Sequence, residues 1–208
     1  MPKQTFFNLP QNKRERIIAA AIDEFAEYHF LDASINRIID HANISRGSFY
    51  QYFEDLEDLY QYIFQIVADK KQAYMDQHLM DQQTSNDIFQ VLRKMYQLGL
   101  KFAEEHPAFA KIGNHLFKGD KQFKLRILGE WEEHSKQFFI GLLKKGQEEG
   151  TVRQDLDLEV ASFLFYQLSL TLTDQYLMEN DWFENINRYL EASNEMLNIF
   201  AQGIRAPK

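Results

Sequence analysis

The sequence has 208 residues, of which 45% are hydrophobic and 26% are charged, and this composition excludes a disordered or collagen-like chain. It contains no cysteine, which excludes a disulfide framework, a thiolate zinc site and a cysteine nucleophile. The net charge of -8 argues against a protein that coats nucleic acid, because non-specific affinity depends on neutralised phosphates.

The amino-terminal residues include no apolar segment of signal-peptide length. The longest apolar stretch, residues 160–166, falls well short of the roughly 20 residues that cross a bilayer. We therefore expect a cytoplasmic protein with no membrane partner.

Apolar residues recur at helical spacing along the chain, and only four prolines and nine glycines interrupt it, so we expect an all-α fold. The first helix is predicted to begin at a capping box formed by Asn12 and Glu15. It is predicted to end near Tyr28 or His29.

The next three helices are predicted from the residues that cap them, which are Ser34, Ser45 and Asp55. The first two of these helices are short, and Asn43 lies in the turn between them, where it tolerates positive φ better than most residues. A helix, a tight turn and a helix within about twenty residues form a helix-turn-helix unit. Such a unit places the start of its second helix in the major groove of DNA.

The rest of the chain is predicted to form a helical bundle. Its helices are predicted to start at Thr84 or Ser85, at Pro107, at Asp157 and at a capping box of Asp181 and Glu184, with stops at Gly150 and Gly203.

The second helix of the helix-turn-helix unit begins with small residues and one cation, Arg46-Gly47-Ser48. Small residues allow a close approach to DNA, and an arginine reaches a guanine edge or a phosphate. Tyr50 and Tyr52 offer hydroxyl groups at phosphate distance. Spacing alone leaves open the alternative that these short helices are only packing elements.

Two segments resemble the TetR family of bacterial transcriptional regulators: RIIAAAIDEFAEYHF at 16–30 and ASINRIIDHANISRGSFYQYFEDLEDLY at 33–60. Residues 48–53 match the family's signature at the end of its recognition helix. The resemblance implies a homodimer that binds a palindromic operator. It also implies a carboxyl-terminal domain that usually binds a small effector and releases DNA.

The resemblance also implies roles for individual residues. Ser34 corresponds to a capping residue that contacts phosphate, and Tyr50 corresponds to a phosphate-contacting tyrosine. Arg46, Gly47 and Ser48 correspond to the base-facing start of the recognition helix.

Three positions depart from the family pattern. His29 and Asn43 stand where glycine is usual, and both are expected to adopt a left-handed conformation. Leu56 replaces a lysine that commonly contacts phosphate, which puts that one contact in doubt.

Basic residues are concentrated near the amino terminus. Residues 1–56 carry six Lys and Arg against eight Asp and Glu, so most of the net negative charge belongs to the rest of the chain. Four of these cations cluster near the amino terminus, Lys3, Lys13, Arg14 and Arg16, and a dimer that carries two such clusters is expected to bind DNA with a steep salt dependence. Among them, Lys13 and Arg14 are predicted to contact DNA phosphates. The alternative is that they form only a solvated first helical turn.

Aromatic residues are frequent after residue 90, and for any one of them core packing is the default interpretation. Collectively we expect them to line a pocket for a small hydrophobic or amphipathic effector. The predicted pocket residues are Tyr96, Phe102, Phe109, Phe117, Phe123, Trp131, Phe138, Phe163 and Tyr166.

The helix predicted over residues 158–178 is apolar on too many sides for one core, so we expect it to pair with the final helix at a dimer interface. The predicted interface residues are Phe165, Leu172, Tyr176, Phe183, Ile186, Tyr189, Leu190 and Leu197. The expected organisation is a DNA-binding domain over residues 1–55 and an effector-binding and dimerisation domain over residues 56–208, joined by a long helix.

No motif indicates an enzyme. The six histidines form no HExxH or paired metal-ligand spacing, and the sequence has no P-loop, GxGxxG or GxSxG motif. We therefore expect a transcriptional regulator, a repressor by resemblance, that needs no metal or cofactor. The alternative is the same fold controlled by a protein partner, or bound to DNA constitutively.

Overall fold

The computed structural model describes residues 1–80, 87–178 and 182–204. Within these ranges the chain is helical apart from short connections and has no β-strand, which confirms the all-α prediction.

Ten α-helices follow one another along the described chain. They are α1 (Gln4–Phe7), α2 (Gln11–Glu27), α3 (Ile35–Ala42), α4 (Arg46–Tyr52), α5 (Leu56–Met80), α6 (Ile88–Glu105), α7 (Pro107–Lys118), α8 (Lys121–Glu148), α9 (Leu158–Thr173) and α10 (Trp182–Ile204). A 3₁₀ turn (Phe30–Asp32) follows α2, and a π-helical turn (Asp174–Met178) follows α9.

Three predicted N-caps are confirmed by their hydrogen bonds. The side chains of Ser45, Asp55 and Asp157 each accept the backbone N–H three residues on, at 3.1, 2.8 and 3.0 Å. Ser34 also precedes its helix as predicted, but its side chain makes no capping bond. Its own N–H instead donates to the Glu24 carboxylate at 2.6 Å.

The predicted capping box of Asn12 and Glu15 is wrong. Helix α2 already begins at Gln11, and the carbonyl of Pro10 accepts the N–H of Lys13 at 3.0 Å. Because this carbonyl supplies the first helical bond, Asn12 lies inside the first turn. The four-residue helix α1 was not predicted.

Asn43 confirms its predicted left-handed conformation, with φ 52° and ψ 56°. The same expectation is wrong for His29, whose φ of −59° and ψ of 153° are extended. Tyr28 is already extended after α2, and the chain then enters the 3₁₀ turn, so no left-handed residue is needed there.

In the bundle, Pro107 is the first residue of α7, and Gly150 follows α8 with φ of +74°, both as predicted. Gly203 does not end its helix, because α10 continues to Ile204, whose buried side chain packs in the core. The remaining predicted helix starts, at Thr84, Ser85, Asp181 and Glu184, involve residues or side chains outside those that the structure describes.

The chain divides into two compact units, residues 1–73 with 103–127, and residues 74–102 with 128–208. The core of the first unit includes the fully buried side chains of Ile17, Phe25, Ile38, Phe49, Phe53 and Leu59. The core of the second unit includes Phe89, Leu92, Leu143, Phe165 and Leu197. The domain boundary at residues 55 and 56 stays a prediction.

Among the described residues, no helix is long and apolar enough to cross a membrane. The same residues hold no group of three or more His, Asp or Glu side chains arranged to bind a metal ion.

Candidate nucleic-acid interface

Helices α3 and α4 pack through small apolar faces. Ile38 and Ala42 of α3 are fully buried, as is Phe49 of α4. Since each helix buries only one side, the opposite sides lie at the surface, and the left-handed Asn43 sets the change of direction between them.

The amino-terminal end of α4 is open at the surface. Arg46 and Gly47 are exposed, and a side chain added at Gly47 would meet only Ser45 Oγ, at 3.9 Å. Packing within the chain therefore does not require glycine at this position. Ser48 is held at the same end, because its hydroxyl lies 2.9 Å from that of Ser45.

Hydrogen bonds connect the Arg46 side chain with two other exposed side chains, those of Asn36 and Tyr50, in one row. Its Nη1 donates to Asn36 Oδ1 at 2.8 Å, and its Nη2 approaches Tyr50 Oη at 3.5 Å. An arginine and an asparagine are the side chains that bind guanine and adenine edges in two-point contacts. The row therefore offers base-reading donors from both helices.

Asn36 was not predicted as a site residue. The signal was present, because Ile35, Ile38 and Ile39 form the apolar side of α3 and leave Asn36 on its outer side. Its bond to Arg46 depends on the approach of α3 to α4.

The two predicted phosphate-binding tyrosines differ in exposure, and Tyr50 is 41% exposed. Tyr52 is 5% exposed, and its ring packs 6.2 Å from that of Phe6. Lys13 Nζ lies 5.6 Å from the centre of the Tyr52 ring. The Tyr52 ring therefore packs beside Lys13, and the phosphate contact of its hydroxyl stays a prediction.

Arg14 is half-buried, and its Nη1 donates to the carbonyl oxygen of Phe7 at 3.1 Å. This bond ties α2 to the amino-terminal segment, so Arg14 has a structural contact besides the phosphate contact predicted for it.

An ion pair between a buried carboxylate and a partly exposed arginine fixes α2 against α3. Glu24 is 3% exposed, and its carboxylate accepts Arg37 Nη2 at 2.6 Å and Nε at 3.0 Å. The hydrogen bond to this carboxylate raises the pKa of the Arg37 guanidinium, which also lies 4.0 Å from the centre of the Tyr28 ring. Glu24 also accepts the Ser34 N–H, so one carboxylate orients the start of α3. The sequence signal was an acid on the inward stripe of α2, seven residues after Ile17.

The family model described as "Bacterial regulatory proteins, tetR family" matches residues 17–63, which contain most of α2, all of α3 and α4, and the start of α5. This match supports a TetR-family protein. It supports a DNA-binding transcriptional regulator with a helix-turn-helix unit, in which α4 corresponds to the recognition helix.

Similar proteins agree over most of the chain. The probable acrEF/envCD operon repressor of Escherichia coli (strain K12) is 25% identical, covering 88% of this chain and 93% of the relative. The fatty acid metabolism regulator protein of Bacillus subtilis (strain 168) is 22% identical, covering 92% of this chain and 95% of the relative. A TetR family regulator from Chloroflexus aurantiacus J-10-FL is 28% identical over 100% of both chains, with a TM-score of 0.63. These proteins are regulators rather than enzymes, in agreement with the prediction.

The aromatic residues predicted to line an effector pocket lie in different surroundings. Phe109, Phe117 and Phe123 belong to the first unit, and Phe123 stacks on Phe30 with ring centres 4.0 Å apart, as part of the core. The other six belong to the second unit: Tyr96, Phe102, Trp131, Phe138, Phe163 and Tyr166.

Those six are themselves divided between core and surface. Phe102 and Tyr166 are buried, whereas Phe138 and Phe163 are 42% and 44% exposed. Burial raises the pKa of Tyr96, whose hydroxyl lies 2.6 Å from Ser169 Oγ. The effector pocket stays a prediction.

An open groove of about 600 Å³ lies in the first unit. Its lining mixes charged and apolar residues, and none of the nine predicted pocket residues takes part. It is lined by Asp23, Glu24, Ala26, Glu27, Tyr28, Arg37, His41, Pro107, Ala108 and Lys111.

Three of the eight predicted interface residues belong to the core of the second unit. Phe165, Tyr189 and Leu197 are 2%, 7% and 0% exposed, because they lie on the inward sides of α9 and α10. The structure therefore corrects the prediction that these three residues face a second subunit. The half-buried residues of the predicted interface are Leu172, Tyr176, Ile186 and Leu190, and the side chain of Phe183 is not among those that the structure describes.

Proposed function

We propose that this regulator is a dimeric repressor that binds a palindromic operator in the bacterial cytoplasm through α3 and α4, and that a small hydrophobic or amphipathic effector releases it. The observation that carries the DNA-reading part is the exposed row of Asn36, Arg46 and Tyr50. Arg46 and Tyr50 lie on α4, the helix that enters the major groove in helix-turn-helix proteins, and Asn36 lies on α3 beside Arg46.

The acidic net charge is compatible with this proposal, because its distribution is uneven. Most of the excess acid lies after residue 56, whereas Arg46 lies on the recognition helix and Lys13 lies beside its Tyr52. The acidic part weakens non-specific attraction to DNA, so that affinity depends on correct docking. Two copies of the cation set give a dimer steep salt dependence.

The proposed dimer surface is the outward side of α9. Val160, Leu164 and Leu168 follow one another at four-residue spacing and are 53%, 48% and 43% exposed. Ile199 of α10 is 64% exposed. Apolar side chains in such a row favour burial against a second copy. This surface replaces Phe165, Tyr189 and Leu197 in the proposed interface.

Two observations support a small effector with an apolar body. The interior of the second unit is rich in aromatic and aliphatic side chains, with neutral hydroxyls such as Tyr96 and Ser169 among them. A relative that aligns with most of this chain is named a regulator of fatty acid metabolism. We therefore place fatty acids first among candidate effectors.

The second candidate function keeps the fold and the DNA site but has no small effector. In that case a protein partner controls DNA binding, or binding is constitutive. The division of the predicted pocket residues between surface and core supports this alternative.

The DNA-binding proposal is tested by selecting bound duplexes from a random DNA pool with the purified full chain. We expect a palindromic consensus whose half-sites lie about one helical turn, or a multiple of it, apart. A consensus without two-fold symmetry would contradict the dimeric reader, and the absence of any enriched sequence would contradict operator binding.

With the selected duplex in hand, medium- and long-chain fatty acids are added to the complex. The effector proposal expects loss of DNA binding together with a raised melting temperature of the free protein. Unchanged binding and melting with this panel would favour the alternative without a small effector.

A further inference from the structure

The recognition helix is too short to be stable alone, and the backbone carbonyls at its carboxyl end need hydrogen-bond donors from outside the helix. Helix α4 has seven residues, whereas isolated helices shorter than about 12–15 residues are marginal in water. The last four carbonyls of any helix have no partner inside it. In α4 these are the carbonyls of residues 49–52.

Every one of these four carbonyls has a partner, and three of the partners come from the first five residues of the chain. Phe53 N–H donates to the carbonyl of residue 49 at 2.9 Å. Lys3 Nζ donates to that of residue 50 at 2.9 Å, and the Lys3 N–H to that of residue 52 at 2.8 Å. Thr5 Oγ1 donates to the carbonyl of Gln51.

Aromatic packing anchors the same segment. Phe6 is fully buried, with its ring centre 4.9 Å from that of Phe53 and 5.4 Å from that of Tyr62 on α5. Arg14 of α2 holds the carbonyl of Phe7. The segment is therefore fastened to the recognition helix α4 and also to α2 and α5.

We propose that residues 3–7, which we name the N-terminal clamp, position the recognition helix for DNA binding by capping its carboxyl end. The proposal rests on the proposed function, since it assigns these residues a part in the same DNA site. The ammonium of Lys3 also lies where the helix dipole is negative, which favours a cation. The clamp thereby orders the turn that carries Tyr50 before DNA arrives.

The test uses Thr5, because its side chain is exposed and removing its hydroxyl leaves the charge of the clamp unchanged. We expect Thr5→Val to speed amide hydrogen exchange at residues 49–53 in the full chain, while α2 and α5 exchange as in the wild type. We also expect about three- to tenfold weaker binding to the duplex that the wild type selects, with an unchanged salt dependence, because one net hydrogen bond is lost without a charge.

Two variants control for a merely structural effect. Thr5→Ser keeps the hydroxyl and is expected to restore both exchange and affinity. Gln4→Ala removes a neighbouring exposed side chain that donates to Asn8 Oδ1 at 3.3 Å and is expected to behave as the wild type.

Wild-type exchange and affinity in Thr5→Val would overturn the proposal, as would equal losses in Gln4→Ala. A wild type that selects no DNA would instead contradict the proposed function. In that case the exchange rates of residues 49–53 still decide whether the clamp caps α4.

Discussion

At the scale of single residues, the site depends on how Arg46 is held before DNA binds. A free arginine loses side-chain entropy when it contacts a base. Here Asn36 Oδ1 already accepts one guanidinium N–H at 2.8 Å, and the Tyr50 hydroxyl lies close to the other side. Because Asn36 is itself exposed, it is placed both to orient Arg46 and to contact a neighbouring base.

We expect Arg46→Ala to weaken operator binding and to relax the preference near one base pair by about 1–3 kcal/mol. Asn36→Ala should have a smaller effect of the same kind, and the double variant should lose less than the sum, because the two side chains are in contact. Binding titrations against the selected duplex and its single-base variants measure these effects. Uniform weakening on all sequences would place Arg46 on a phosphate.

At the scale of helices, α7 holds the carboxyl end of α2. His115 of α7 places Nδ1 3.0 Å from the carbonyl oxygen of Phe25 and 3.1 Å from that of Tyr28. The His29 ring lies 4.3 Å from the His115 ring, centre to centre. Burial lowers the pKa of His115, and the nearby His29 and Lys111 lower it further against the opposing effect of the two carbonyls.

This contact predicts a pH dependence of stability. Because the folded chain holds the pKa of His115 below its ordinary value of 6.5, the unfolded chain takes up the proton first on acidification. The contribution of His115 is present above that ordinary value and is lost as the pH falls through the lowered pKa. We expect the free energy of unfolding to fall less on acidification in His115→Gln than in the wild type.

Denaturant unfolding at a series of pH values measures this difference. His41→Gln serves as the control, since His41 is an exposed histidine of the same unit. An identical pH dependence in the wild type and His115→Gln would contradict the assignment.

At the scale of the whole molecule, the exposed row on α9 predicts the assembly. In a single chain Val160, Leu164 and Leu168 expose an apolar row, and a second copy presents an identical row. A C2 dimer pairs such a surface with itself. The palindromic site expected for the recognition helices has the same two-fold symmetry.

We expect the wild type to sediment as a dimer at micromolar concentration and Leu164→Glu to sediment as a monomer, because a buried carboxylate without a partner is costly. Leu125→Glu is the matched control, since Leu125 is 59% exposed and lies in the first unit. A wild-type monomer, or a dimer that survives Leu164→Glu with the far-ultraviolet spectrum unchanged, would argue against this surface.

The sequence by itself determined most of the helices, the helix-turn-helix unit and the resemblance to the TetR family, because these depend on local signals. A serine that caps the next helix, an asparagine that tolerates a left-handed turn and apolar residues at helical spacing act within a few residues of one another, as Ser45 and Asn43 do. The exposed cation at the start of α4 was predicted from the same short stretch.

Only the tertiary structure decided which side chains meet across long separations. The clamp joins Lys3 to a carbonyl 49 residues away, the ion pair of Glu24 depends on the crossing of α2 and α3, and Arg46 depends on Asn36 of another helix. The apolar pattern of α9 likewise did not separate core from surface, because a helix that is apolar on many sides does not show which side faces the core. Tertiary packing decided which side faces the core, with Phe165 buried and Leu164 exposed.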